Sequence, residues 1–132
     1  MAALAEDQKR LVCTEIEQHL ANLRGIKFNT LGGPSGIVIP PYRVMRLSDK
    51  SEWPRKVSQD DGEYAFCHND LSQHNIIVDP ETLKIRAIID WEYAGFFPEY
   101  FEWPVYNRPG PSVALGGEDD DTAGLLQFLE TV

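Results

Sequence analysis

Two short apolar runs, Asn75-Ile-Ile-Val-Asp79 and Lys84-Ile-Arg-Ala-Ile-Ile-Asp90, stand either side of Pro80-Glu-Thr-Leu83 and constrain this chain more than any other feature. Runs rich in β-branched residues, separated by a few turn formers, predict a β-hairpin with a short loop. A hairpin returns the chain to its start, so the residues before the first run are brought beside those after the second. His68-Asn-Asp-Leu-Ser-Gln-His74 leads into the first run, and Asp90-Trp-Glu92 leads out of the second. The fold therefore gathers Asp70, Asn75 and Asp90 around one hairpin mouth.

Hard oxygen ligands such as Asn75 and Asp90 suit Mg²⁺, which keeps several waters and binds substrate phosphates. A further carboxylate held off the metal in a loop, Asp70, is placed to accept a proton from an incoming hydroxyl. This is the equipment of phosphoryl transfer, where positioning and charge neutralisation supply most of the catalysis. Each residue also has a plainer reading. Asp70 alone reads as a turn aspartate bonded to its own backbone, and Asn75 alone as the start of a strand. Asp90 ends an apolar run, where a carboxylate needs a compensating partner, which favours a metal or phosphate role. His68 reads as structural in either account.

The same residues carry a resemblance. His68-Asn-Asp70-Leu-Ser-Gln-His-Asn75 fits the H-x-D-x-x-x-x-N catalytic loop of kinases, and Asp90-Trp-Glu92 stands where protein kinases have D-F-G. With Ile89-Asp-Trp-Glu-Tyr-Ala-Gly95, residues 66–98 resemble the aminoglycoside phosphotransferase and choline kinase-like group, and fungal-type members of the phosphotransferase enzyme family in particular. A looser similarity extends over the rest of the chain. The resemblance implies an α+β fold: the C-terminal lobe of a protein-kinase-like architecture, mainly helical, with a catalytic-loop β-hairpin. It implies ATP as phosphoryl donor, Mg²⁺ as cofactor and a small-molecule hydroxyl as acceptor. Asp70 would be the catalytic base, Asn75 and Asp90 the Mg²⁺ ligands, and His68 the residue holding the loop. Ile77 and Ile89 would lie under the adenine. Asn69 and His74 stand where the family often has glycine, which leaves the acceptor class open.

The 132 residues suit one domain with a moderate core. A formal charge of -9 opposes nucleic acid and anionic membrane surfaces as partners. Cys13 and Cys67 are far apart and read as reduced thiols. The N-terminus meets charged residues before any long apolar run, and no stretch approaches membrane-spanning length. A cytoplasmic protein is expected.

Helical periodicity predicts a helix over 3–24, with Leu4, Leu11, Val12, Ile16, Leu20 and Leu23 on one face and Gly25 as its cap. Residues 26–65 read as loop-rich, with a short helix within 48–57 limited by Pro54 and a turn at 60–62. Leu31-Gly-Gly-Pro-Ser-Gly36 matches neither glycine-rich phosphate motif and reads as a surface loop on the substrate side. After 66–98, residues 99–132 read as C-terminal helices: a short one starting near Pro98, a loop over 107–117, and a last one behind Asp119-Asp120-Asp121 running to Val132. Trp91, Phe96, Phe97, Tyr100 and Phe101 read as packing aromatics.

Nothing upstream of Phe66 supplies the glycine-rich strand-loop-strand, strand lysine and helix glutamate that such a kinase also needs. The expectation is therefore a C-terminal lobe with the N-terminal lobe absent, truncated or fragmentary, with weak or no activity alone. The apolar face left uncovered would be a surface for association. Two other readings compete: a pseudokinase-like scaffold, and a transition-metal site made of His68, Asp70, His74 and Asp90.

Overall fold

A computed structural model describes residues 1–50, 53–59 and 63–131. The chain is α+β, with two hydrophobic clusters.

The first cluster lies where helix α1 (Glu6–Arg24) packs on a hairpin of β3 (Ile76–Val78) and β4 (Ile85–Ile88). Glu6 and Asp7 suit the positive end of α1. The Gln8 side chain accepts the Ala5 N–H at 3.1 Å, and the Gly25 N–H closes the far end on Asn22 O at 3.2 Å. Val12, Ile16 and Leu20, spaced at four residues, are buried against Leu71, Ile76 and Tyr106. Leu11 is 63% exposed, because its place is about 100° round the helix from Val12. The helix also starts at Glu6, not at residue 3, since the Leu4 N–H turns back to Met1 O.

The hairpin forms where the turn residues place it. Asp79 Oδ1 accepts the N–H groups of Glu81 at 2.9 Å and Thr82 at 3.2 Å, and Leu83 takes φ 59°. Ile76 pairs with Ile88 and Ile77 with Ala87, but Val78 pairs with Ile85, so Arg86 is bulged out. Ile76 and Ile88 face α1. Ile77 and Ile89 face outward and are 43% and 38% exposed.

An antiparallel sheet in the order β1 (Lys27–Phe28), β2 (Tyr64–Cys67), β5 (Gly95–Phe97) carries the second cluster. Leu31, Val44, Phe97, Phe101, Leu125 and Leu129 fill the core between it, α2 (Tyr42–Met45) and α3 (Thr122–Glu130). The buried Arg43 guanidinium grips both oxygens of Asp121 at 2.8 Å and the carbonyl of Phe101 at 2.9 Å, tying α2 to α3.

The structure corrects several expectations. The Leu31-Gly-Gly-Pro-Ser-Gly36 segment is exposed at Pro34 and Ser35, as a surface loop should be, but its start is built against the sheet. Leu31 is buried, and Gly32 exchanges two 2.9 Å hydrogen bonds with Phe96. A Cβ on Gly95 would stand 2.9 Å from the Gly32 carbonyl carbon, so only glycine admits this approach. The described residues of 48–57 form no helix: the Leu31 N–H bonds to Lys56 O at 2.9 Å, and Thr30 bridges Val57, which holds the chain extended. The turn at 60–62 and the end at Val132 lie outside the described residues. The fold is not mainly helical. α1, α2 and α3 hold 19, 4 and 9 residues, and beyond Pro98 only the 3₁₀ turns Glu99–Phe101 and Val105–Asn107 precede α3. Nine prolines and ten glycines keep most of the remainder in turns. Cys13 and Cys67 form no disulfide. No helix of the described residues is long and apolar enough to cross a membrane.

Candidate active site

Residues 68–75 leave β2 and enter β3, and buried hydrogen bonds fix nearly every group in between. His68 is 0% exposed. Its Nδ1 accepts the Asp70 N–H at 3.1 Å, which leaves Nε2 to donate to Ile89 O at 2.8 Å. Burial holds the imidazole below its usual pKa, so it is neutral at pH 7 and suits this donor–acceptor role. Asn69 sits at φ 71°, in the left-handed region that glycine and asparagine tolerate best. That is the physical content of finding Asn69 where a glycine is common.

Glu102 is the support that sequence reasoning missed. Its carboxylate accepts the N–H of Asn69 at 3.0 Å and the N–H of His68. Burial pushes its pKa up, and those two N–H bonds pull it back toward the ionised form. No local signal marked it, since Glu92, equally flanked by the aromatics Trp91 and Tyr93, is exposed.

Asn75 turns its amide nitrogen onto Asp70, 2.7 Å from the backbone carbonyl and 3.4 Å from Oδ2. Its backbone carbonyl accepts the Ile89 N–H at 2.9 Å. The Ile89 peptide is thus held at both ends, by Asn75 and by His68. The expected return of the hairpin therefore occurs, and Asp90 comes directly after it. Asp90 is exposed, at φ 60°, and no hydrogen bond or ion pair engages its carboxylate among the described residues.

Asp70 and Asn75 line one cavity of about 300 Å³ with Ser72, His74, Glu92 and Ser112, walled by Tyr42, Tyr93 and Pro111. Asp90 does not line it. Asp70 and Asn75 are brought together side chain to side chain, whereas Asp90 is joined to them only through the backbone beside it. Ser112, 42 residues downstream, donates its hydroxyl to Asp70 Oδ1, a contact the loop-like sequence around it gave no reason to expect. Tyr42 and Tyr93 meet edge to face at 5.9 Å. Of the aromatics expected to pack, Phe97 and Phe101 are core, while Trp91 lies 4.6 Å from the His68 ring at the end of a row formed by Phe28, Phe96 and Phe66.

The transition-metal reading fails on this geometry. Both His68 nitrogens are occupied by backbone groups, and among the described residues no three His, Cys, Asp or Glu side chains could hold a metal ion.

Residues 44–102, which span β2, the loop, the hairpin and β5, match the phosphotransferase enzyme family. That match covers 59 of the 132 residues. The chain is 38% identical to a probable choline kinase 1 of Arabidopsis thaliana over 65 residues, 48% of this chain and 18% of that protein. It is 39% identical to an ethanolamine kinase 2 of Rattus norvegicus over 61 residues, 46% of this chain and 16% of the relative. A third relative, acyl-CoA dehydrogenase family member 11 of Pongo abelii, is 24% identical over 99 residues, 67% of this chain and 12% of that protein. The chain thus spans less than a fifth of the length of these relatives. No solved structure matches it. The family expected from HNDLSQHN and IDWEYAG is the one found.

Proposed function

We propose that this chain carries the catalytic loop of an ATP- and Mg²⁺-dependent phosphotransferase acting on the hydroxyl of a small amino alcohol. The observation that carries the reading is the shared cavity of Asp70 and Asn75, in which Asp70 already accepts a hydrogen bond from a hydroxyl. Asp70 orients the acceptor hydroxyl and takes its proton. His68, Asn69 and Glu102 fix the backbone that carries Asp70, so the carboxylate is placed before substrate arrives.

The donor set suits magnesium. Asn75 commits its side-chain nitrogen to Asp70, leaving its side-chain Oδ1 as a ligand, and the Asp90 carboxylate is exposed and unengaged among the described residues. Asn75 and Asp90 would hold the ion, which when bound neutralises phosphate charge. Ile77 and Ile89, on the outer face of the hairpin, offer apolar surface to the adenine. The cavity lining contains Asp70 and Glu92, two tyrosines and no Lys or Arg. Acids with aromatic faces favour a cationic acceptor, in keeping with relatives named choline and ethanolamine kinases.

Calorimetric titration of the purified chain with ATP should show binding that requires Mg²⁺ and is lost in Asp90→Ala. A phosphorylated product from ethanolamine or choline would complete the test. The position of Asp90 outside the cavity favours a second reading, a scaffold that keeps the loop without catalysis. Absence of Mg²⁺-dependent ATP binding in the parent chain would select it.

A further inference from the structure

A hydroxyl of the chain itself occupies the place where an acceptor hydroxyl belongs. Ser112 Oγ donates to Asp70 Oδ1, and Ser112 is only 3% exposed. In phosphoryl transfer with a loop aspartate, the acceptor hydroxyl makes this same donation to the base.

The contact is held by a closed loop. The Arg108 guanidinium grips Glu118 at 3.0 and 2.9 Å. Its remaining N–H groups reach the carbonyls of Pro111 at 2.7 Å and Val113 at 2.6 Å, on either side of Ser112. The Leu115 N–H adds a 2.8 Å bond to the same glutamate. A bidentate arginine with further backbone bonds is a stiff fixture. The loop therefore delivers one hydroxyl to one carboxylate, and holding a nucleophile in place in this way is a major source of rate.

We propose that Ser112 is a phosphoryl acceptor in cis, so that the chain phosphorylates its own serine. The proposal rests on the phosphotransferase reading above. In the step, Ser112 Oγ bonds to the γ-phosphorus of ATP while the bond from that phosphorus to the β–γ bridging oxygen breaks. The bonding pair leaves on ADP, and the hydroxyl proton passes to Asp70 and then to solvent. No other co-reactant is needed.

The test incubates the purified chain with Mg²⁺ and ATP, follows phosphate incorporation by mass spectrometry and locates it by peptide mapping, with ATP binding measured separately. One phosphoryl group on Ser112 is expected, at a first-order rate unchanged by dilution of the protein. Asp70→Asn should slow incorporation by about 100-fold or more. Ser112→Ala should take up none, and Ser112→Thr, which keeps a hydroxyl, should be modified. Circular dichroism melts confirm that each variant folds. ATP binding without phosphate on Ser112, phosphate at another residue instead, or a rate that rises with protein concentration overturns the proposal and leaves the phosphotransferase reading standing. Failure to bind ATP with Mg²⁺ overturns both.

Discussion

The proposed base side and the proposed metal side of this site are built differently. On the base side, His68, Asn69 and Asn75 are buried, and hydrogen bonds with Glu102, Tyr93 and Ile89 fix each of them. On the metal side, Asp90 is exposed on a left-handed residue and its carboxylate is unengaged among the described residues. Under the proposed roles the difference has a physical reason. A base acts through orientation, which a buried network supplies. A carboxylate meant for a divalent ion is better left unpaired, because an internal partner would compete with the metal.

The largest test of this contrast is Glu102→Ala. It strips the acceptor from two buried N–H groups and should lower unfolding stability by about 3 kcal/mol in urea denaturation. Glu102→Gln, which keeps one acceptor oxygen, should recover part of that. A loss below about 1 kcal/mol for the alanine variant would mean the loop is held by something other than its carboxylate support.

The next effect is pH-dependent. The folded-state pKa of His68 lies below the usual imidazole value of 6.5 because burial disfavours the charged ring. Its contribution to stability is therefore complete above that value and is lost as pH falls toward the lower folded pKa. The loss is limited to about 1.4 kcal/mol per pH unit. His68→Gln should remove this component. The difference between parent and variant isolates it, because Glu102, held above its usual 4.5 by burial, titrates in the opposite sense in both proteins. An unchanged pH profile in the variant would show that His68 accepts a proton without disturbing the loop.

On the metal side stability should barely respond. Asp90→Gly removes the side-chain strain of φ 60° and should leave stability unchanged or up to about 1 kcal/mol higher, while abolishing Mg²⁺-dependent ATP binding. A clear destabilisation would place Asp90 in the same fixed network as Asp70 and dissolve the contrast. Ile77→Ala should change stability by no more than about 0.5 kcal/mol, because the residue is 43% exposed, yet weaken ATP affinity several-fold.

Local chemistry in this chain was readable from sequence and long-range pairing was not. The hairpin announced itself through Asp79-Pro80 and two β-branched runs, and α1 through its four-residue spacing. The sheet of β1, β2 and β5 did not, because strands of two to four residues carry no periodicity and exist only by pairing Lys27 with Ala65 and Phe66 with Phe96. The site divides the same way. Asp70 and Asn75 sit five residues apart and were found together. Glu102 and Ser112 reach the loop from 33 and 42 residues away, and only the folded chain makes them neighbours.

The Ile89 peptide, held by Asn75 at its nitrogen and by His68 at its oxygen, has one further consequence. Its amide proton can be traded for deuterium only when the hairpin end lifts from the loop. That single proton is a clock on the assembled site: its exchange time measures how long the loop and the hairpin end stay joined. Slowing of that clock by an added ligand would reveal engagement of the site even where no product is formed.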